Sequence, residues 1–207
     1  MVADRNYDIT EETGLASTDE GTFIGYYGPY VAQNRVTLRA LLSRVYLRSN
    51  SDTGNEERLL VYYAEPPGKK QIGSDEIKEF IGLMRSYGTE SGVLIVDSPI
   101  SSAGSAEFGK VPQYNIQVFH EEELMYNPTR NYLVPKHTAM SNADAREFLR
   151  SNKLQSNKLP LILATGDKVD PIAKWYGFAP GKIIRIDRVN FIFQSLVEEE
   201  TFFRKVI

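Results

Sequence analysis

At 207 residues the chain has room for one sizeable domain or two modest ones, and a hydrophobic content of 42% is enough for real cores. With no cysteine it can form neither disulfides nor thiolate zinc sites, and no apolar run nears the roughly 18 residues that cross a membrane. Residues 1–132 carry 12 of the 24 Lys/Arg and 19 of the 27 Asp/Glu, a net of −7, whereas 133–207 carry 12 against 8, a net of +4. That change of sign places a boundary near Tyr132, and it makes the acidic first part a poor candidate for tight, independent DNA binding, which needs clustered cations on phosphates.

The first twenty residues are polar and without period, which predicts a loosely ordered tail, and no basic start leads into the apolar stretch of a secretory signal. GTFIGYYGPY mixes aromatics with glycines and reads as an irregular segment. After Asn34 the spacing of Leu38, Leu41, Leu42 and Val45 predicts a helix, and residues 50–58 a polar loop. LLVYYAE at 59–65 reads as a buried strand ended by Pro66 and Pro67. Ser74 is placed to cap a helix striped by Ile77, Phe80, Ile81 and Met84, with Gly88 helping to stop it. VLIV at 93–96 is a second strand, DSPISSAGSA a loop, IQVF at 116–119 a third strand, and HEEEL a short acidic segment. This order is that of an α/β layer, helices covering a sheet.

In the second part Ser141 and Asp144 form a capping pair for a helix that buries Ala145, Phe148 and Leu149. LPLILA at 159–164 predicts a strand, Asp170-Pro171 the start of a short helix, and Gly177 its end. Pro180-Gly181 makes a turn before strands at 183–186 and 202–206, with FIFQSLV between them apolar and unassigned. The expected architecture is α/β: an N-terminal α/β domain over 1–132 and a small mixed α/β domain over 133–207.

Residue patterns for chemistry are weak. His120 and His137 belong to no metal spacing, no G-x-S-x-G elbow is present, and Gly166-Asp167-Lys168 lacks the rest of a phosphate loop. Neither a cofactor nor a metal site is expected. The E-x-K of Glu76-Ile77-Lys78, with Asp97 brought near, is the least weak enzymatic pattern, that of a metal-dependent nuclease; inside a helical stripe its two side chains should diverge. Arg185, Arg188, Arg204 and Lys205 are either the solvated side of alternating strands or a surface for acidic or phosphate-bearing partners.

A more specific signal lies in order and spacing. Leu133-Val134-Pro135-Lys136-His137, then a helix opened by Met140-Ser141, Leu159-Pro160, Asp170-Pro171-Ile172-Ala173-Lys174-Trp175-Tyr176-Gly177, Pro180-Gly181 and Ile183-Ile184-Arg185-Ile186-Asp187-Arg188 resemble the assembly domain of the Rpb5 subunit of eukaryotic-type RNA polymerases and of its archaeal equivalent. The first part resembles, more loosely, the jaw domain of the eukaryotic-type members, so that the resemblance covers about residues 30–207. It departs at Arg188-Val189-Asn190-Phe191, where relatives carry R-P-S-E, and such divergence would suit a polymerase encoded by a large DNA virus or by a divergent cellular eukaryote.

The resemblance implies a subunit without catalytic residues or cofactors. It implies docking on the largest subunit among other polymerase subunits, no membrane, and a jaw facing downstream duplex DNA, with a nuclear location if cellular and a viral transcription site or virion if viral. It marks the loop at 97–104, with Ser98, Pro99, Ser101 and Ser102, as the DNA-proximal part. For assembly it marks Pro135, His137, Asp170, Pro171, Trp175, Tyr176, Gly177, Arg185, Arg188 and Arg204. Trp175 is either an interface anchor or a member of the domain's own core. A free-standing nucleic-acid or protein-binding adaptor is the alternative function, and the nuclease a third.

Overall fold

The computed structural model describes residues 1–10, 19–34, 37–50, 52–65, 71–164, 169–192 and 196–207, without the side chains of 34, 189–192 and 196–199. Pro66, Pro67 and Gly166-Asp167-Lys168 therefore lie outside the described residues, as do 193–195 of the unassigned apolar stretch. The chain divides into two compact units, one of Val2–Asn50 with Asn55–Met125, the other of Tyr126–Ile207 with Met1 and Ser51–Gly54. No described helix is long and apolar enough to cross a membrane.

The first unit contains α1 (Glu20–Asn34), α2 (Leu38–Leu42), β1 (Arg44–Ser49), β2 (Glu56–Tyr63), α3 (Ser74–Ser86), β3 (Ser91–Val96), α4 (Ser102–Gly109), β4 (Asn115–His120) and α5 (Glu121–Leu124). Its sheet runs β1-β2-β3-β4, the first pair antiparallel and the other two parallel. Parallel strands are sandwiched between layers, so they read as continuous apolar runs, and Leu59–Val61 and Val93–Val96 are buried on both faces. On one face Leu60, Leu94 and Val96 meet Ile77, Phe80, Ile81 and Met84 of α3, the stripe expected from spacing. Gly73 rather than Ser74 is the N-cap: Glu76 reaches back to accept the Gly73 N–H at 3.1 Å.

Further expectations fail in this unit, each for a local reason, and the polar loop expected to Arg58 ends where β2 begins at Glu56. Residues 1–10 are not a loose tail: Ala3–Arg5 makes a 3-10 turn, and Arg5 and Tyr7 are 6% and 7% exposed. Arg5 donates to Gln117 Oε1 at 2.7 Å and lies over the Phe119 ring, while Arg48 covers Tyr7 at 4.6 Å, so long amphipathic side chains do the burying. GTFIGYYGPY lies in α1, where Phe23 and Tyr27 pair one turn apart with ring centroids at 4.8 Å, and the helix carries Pro29 in its interior. The helix after Asn34 is only Leu38–Leu42, capped by Thr37; Val45 belongs to β1, which pairs with β2 from Arg44 to Ser49. Finally, the second half of the serine-rich loop is helical, because the Ser101 hydroxyl accepts the Gly104 N–H at 3.1 Å and caps α4.

The second unit contains β5 (Lys136–Ala139), α6 (Asn142–Ser151), β6 (Leu161–Ile162), α7 (Pro171–Tyr176), β7 (Ile183–Ile192) and β8 (Leu196–Val206), with sheet order β5-β7-β8-β6. β7 pairs antiparallel with β5 and β8, and β6 runs parallel to β8. Strand alternation sorts the residues: Ile184 and Ile186 join Ile162, Ala164, Ala173 and Val206 in the core, while on the other face Phe203 stacks on Phe148 of α6 at 3.9 Å. The capping pair forms as expected, Ser141 accepting from the Asp144 amide at 3.0 Å. The strand expected over 159–164 is shorter, and those at 183–186 and 202–206 are longer, extending to Ile192 and from Leu196. The short strand β5 carries no sequence signal of its own; pairing of Lys136–Ala139 with Ile184–Asp187 makes it.

Candidate functional site

In the second unit the residues that the sequence marks for assembly fall into two groups. A cleft of about 370 Å³ is lined by Leu133, Val134, Pro135 and His137, by Ile162, by Asp170 and Ile172, and by Ile186, Arg188, Phe202 and Arg204. Five residues marked in the sequence thus converge: Pro135, His137, Asp170, Arg188 and Arg204. His137 sits on β5 opposite Ile186, with Nδ1 2.7 Å from the Pro135 carbonyl oxygen. A carbonyl only accepts, so Nδ1 carries a proton and donates it to Pro135. The Asp170 carboxylate accepts the amides of Ile172 and Ala173, both at 2.9 Å, which orients α7; Pro171 takes the first helical turn, where no donor is needed. Arg204 donates to the Leu161 carbonyl at 3.2 Å, and Arg188 lies 5.6 Å from the Phe202 ring centroid.

The remaining members lie elsewhere. Trp175 is 4% exposed and belongs to the interior of its own unit. Tyr176 is half-buried and stacks on Phe178 at 5.2 Å, and Gly177 closes α7 with a φ of 64°, where a Cβ is disfavoured. Arg185 points to the opposite face of β7 from Arg188 and holds Asp187 at 2.9 and 3.0 Å. With the Thr201 hydroxyl donating to the same carboxyl group, Arg185 keeps Asp187 below the usual carboxylate range. Leu133, which opens the quoted motif, and Phe202, which lies in an expected strand and is not singled out, give the cleft an apolar rim; they are 72% and 42% exposed.

In the first unit Ser98 and Pro99 follow β3 at the carboxyl end of the parallel strands, the end at which open α/β sheets place their ligand loops. The Pro99 carbonyl accepts from Ile72 at 3.0 Å and the Ser101 amide donates to Ile72 at 2.9 Å, which pins the loop to the segment before α3. Ser101 is occupied as the cap of α4 and Ser102 is its first residue. A Cβ on Gly104 would lie 2.8 Å from Ile100 Cγ2 and 3.1 Å from the Gly73 carbonyl, so that position takes only glycine without a shift. Arg39, which the sequence does not single out, ties this edge together. It donates to the Ala64 carbonyl at 2.7 Å and pairs with Glu121 at 2.6 Å and Asp97 at 3.7 Å, joining the ends of three strands.

The nuclease pattern is dispersed. Glu76 accepts the Gly73 amide, and Lys78 pairs with Asp75 at 3.4 Å on the helix surface. His120 opens α5, its N–H donating to Glu123 at 2.7 Å. Among the described residues no three His, Asp or Glu side chains are grouped to hold a metal ion.

Residues 126–200 match the model of the C-terminal domain of RNA polymerase Rpb5. The whole chain is similar to a Dictyostelium discoideum protein, DNA-directed RNA polymerases I, II, and III subunit rpabc1, with 25% identity over 191 residues that cover 91% of this chain and 84% of that one. It is 27% identical to the Caenorhabditis elegans subunit RPABC1 over 189 residues, 91% of this chain and 83% of that one. It is also 27% identical to the Arabidopsis thaliana DNA-directed RNA polymerase subunit 5-like protein 1 over 190 residues, again 91% and 83%. These relatives come from cellular eukaryotes, and nothing in them speaks for a viral source. The chain is thus a mixed α/β protein with distinct N- and C-terminal regions whose second region matches the Rpb5 C-terminal domain and which is similar, along nearly its whole length, to eukaryotic RNA polymerase subunits.

Proposed function

We propose that this chain is a structural subunit of a multisubunit DNA-dependent RNA polymerase, with residues 133–207 docking on the largest subunit and a jaw of residues 1–132 facing downstream duplex DNA. The family's members are non-catalytic structural subunits, so the chemistry of RNA synthesis belongs to the assembly and this chain supplies geometry. The observation that carries the docking reading is the convergence of Pro135, His137, Asp170, Arg188 and Arg204 on one cleft whose rim is apolar and exposed. Interfaces are built this way, with apolar anchors in a pocket and arginines that bring both packing and charge.

The loop reading is more modest. Half or more of protein–DNA hydrogen bonds go to phosphate and sugar, and the hydroxyls and amides around Ser98 and Ser102 can make them in an acidic unit. A nuclear location follows from the same reading.

The test is affinity purification of tagged chain from its native cells at mild salt, with partners identified by mass spectrometry. Recovery of the two largest polymerase subunits in near-equal amounts is expected, and recovery of the chain alone would favour a free-standing adaptor. The double variant Leu133→Asp with Phe202→Asp should lose the large subunits at least tenfold while its melting temperature stays close to the parent's, since both residues are exposed. In assembled polymerase, Ser98→Ala with Ser102→Ala should shorten the downstream DNA footprint; an unchanged footprint counts against the loop.

A further inference from the structure

Ser98 is held from both sides. On its carboxyl side the Pro99 carbonyl accepts from the Ile72 amide at 3.0 Å. On its amino side Asp97 is tied to Arg39, the second residue of α2, whose Nη2 lies 3.7 Å from Asp97 Oδ2 and 2.6 Å from Glu121 Oε1 while Nη1 donates to the Ala64 carbonyl at 2.7 Å. The three acceptors directly follow β2, β3 and β4, so one guanidinium spans the carboxyl ends of three adjacent parallel strands. A lysine, with a single ammonium, could not serve the carbonyl from one nitrogen and the two carboxylates from another. Between these anchors the Ser98 hydroxyl has no partner among the described residues, whereas the Ser101 hydroxyl is spent on the Gly104 amide.

Charge counts here as much as anchorage. Residues 1–132 carry a net of −7, and Asp97 adjoins Ser98 in the chain. A bare carboxylate there would stand within one Debye length, about 10 Å at about 0.1 M salt, of any phosphate that Ser98 met, where repulsion is little screened. Among the described residues Arg39 is the only cation paired with Asp97 or Glu121, and its side chain is 21% exposed. Its guanidinium is thus turned inward onto the carboxylates and is not offered to a ligand. One cation against two carboxylates leaves the cluster at −1, and without Arg39 it would stand at −2.

We propose that Arg39 is the positioning residue of the DNA-facing loop. It fixes Asp97, and with it the amino side of Ser98, and it offsets the carboxylates that would drive a DNA backbone away from the Ser98 hydroxyl. The contact it prepares is with phosphate or sugar, which needs a placed donor and no base edge. This rests on the reading of residues 97–104 as the DNA-proximal loop.

Assembled polymerase from native cells, on downstream duplex DNA bearing azidophenacyl groups on its phosphates, tests it. The readout is the photo-crosslink yield to this chain, mapped to residues 97–104. The parental chain should crosslink there, and its failure to do so would remove the loop reading itself. Given that crosslink, Arg39→Gln should cut the yield about threefold at about 0.1 M salt, and the deficit should close as salt is raised and the Debye length shortens. Adding Asp97→Asn and Glu121→Gln to Arg39→Gln should return the yield to within about twofold of the parent, because no charge is left to offset. Asp97→Asn with Glu121→Gln in the parental chain keeps an acceptor oxygen at each place and should raise the yield above the parent, a result independent of how well Arg39→Gln folds. An unchanged yield in Arg39→Gln, a deficit that neither salt nor the two amides relieve, or no gain in the double amide variant would overturn the role of Arg39 and leave the loop reading standing.

Discussion

Leu59, Leu60, Val61, Val93, Leu94, Ile95 and Val96 fill the middle of the first unit's sheet, and each could give way to another apolar residue of similar volume. In the second unit Asp170, Pro171, Gly177 and Gly181 each answer a demand that few residues meet: a cap for two amides, a first-turn residue without a donor, and φ angles of 64° and 90°. The stretch that the family model matches, residues 126–200, is the one rich in such punctuation. A fold held by punctuation keeps its residues recognisable, whereas one held by a large core keeps only its pattern.

The contrast predicts a graded series of stability changes. Trp175→Ala should be the most damaging, about 3–5 kcal/mol, because it empties the interior of the smaller unit. Chemical denaturation followed by tryptophan-independent circular dichroism reads it, and a loss under about 1 kcal/mol would remove Trp175 from the core. Gly92→Val probes an exception in the first unit. Even a Cβ there would stand 2.7 Å from Phe80 Cζ and 2.8 Å from Met84 Sδ, and overpacking should cost about 1–3 kcal/mol although valine suits a strand. If thermal melts show Gly92→Val harmless, the idea that this unit tolerates exchange extends even to its tightest contact.

Asp170→Ala should cost about 1 kcal/mol by orphaning the amides of Ile172 and Ala173, and Asp170→Asn should recover most of it. Ser101→Ala should cost up to about 1 kcal/mol as a lost cap, while Ser98→Ala changes stability by less than about 0.5 kcal/mol; equal effects would deny Ser101 its special place in the loop. The subtlest effect is a titration. Burial, followed by the nearby Glu79 and Glu65 carboxylates, raises the Tyr62 phenol to about 12, above its ordinary value of 10.0. The folded state therefore keeps a proton that the unfolded chain loses. Stability should be unaffected below pH 10 and should fall as pH rises from 10 toward 12. The difference in tyrosinate absorbance between parent and Tyr62→Phe should rise near pH 12 and not near pH 10.

What was legible follows the same division. The apolar runs around Leu59–Val61 and Val93–Val96 declared strands because both of their faces are buried, and the stripe of α3 declared its inward side. α1 stayed hidden because three glycines and Pro29 argue against helix, and the Phe23–Tyr27 pairing that supports it is visible only once the helix exists. Arg44–Ser49 fits a helical spacing as well as a strand; its ladder to β2, a long-range contact, decides. At the cleft, Leu133, Pro135, His137 and Asp170 came from motif order, but Phe202 differs from a core residue only in exposure, which spacing does not encode. Arg39 was one arginine among many until the strand ends brought Ala64, Asp97 and Glu121 around it.

Arg5 precedes Gln117, which receives its hydrogen bond, by 112 positions. During synthesis β1 can meet this segment early, Arg48 donating to the Arg5 carbonyl, but the Arg5 guanidinium, which burial lowers to about 10, stays hydrated until β4 has left the ribosome. Burial of Arg5 is then a late step in the folding of this unit, and a ribosome stalled before residue 117 should present a chain whose segment around Arg5 is still open to proteases.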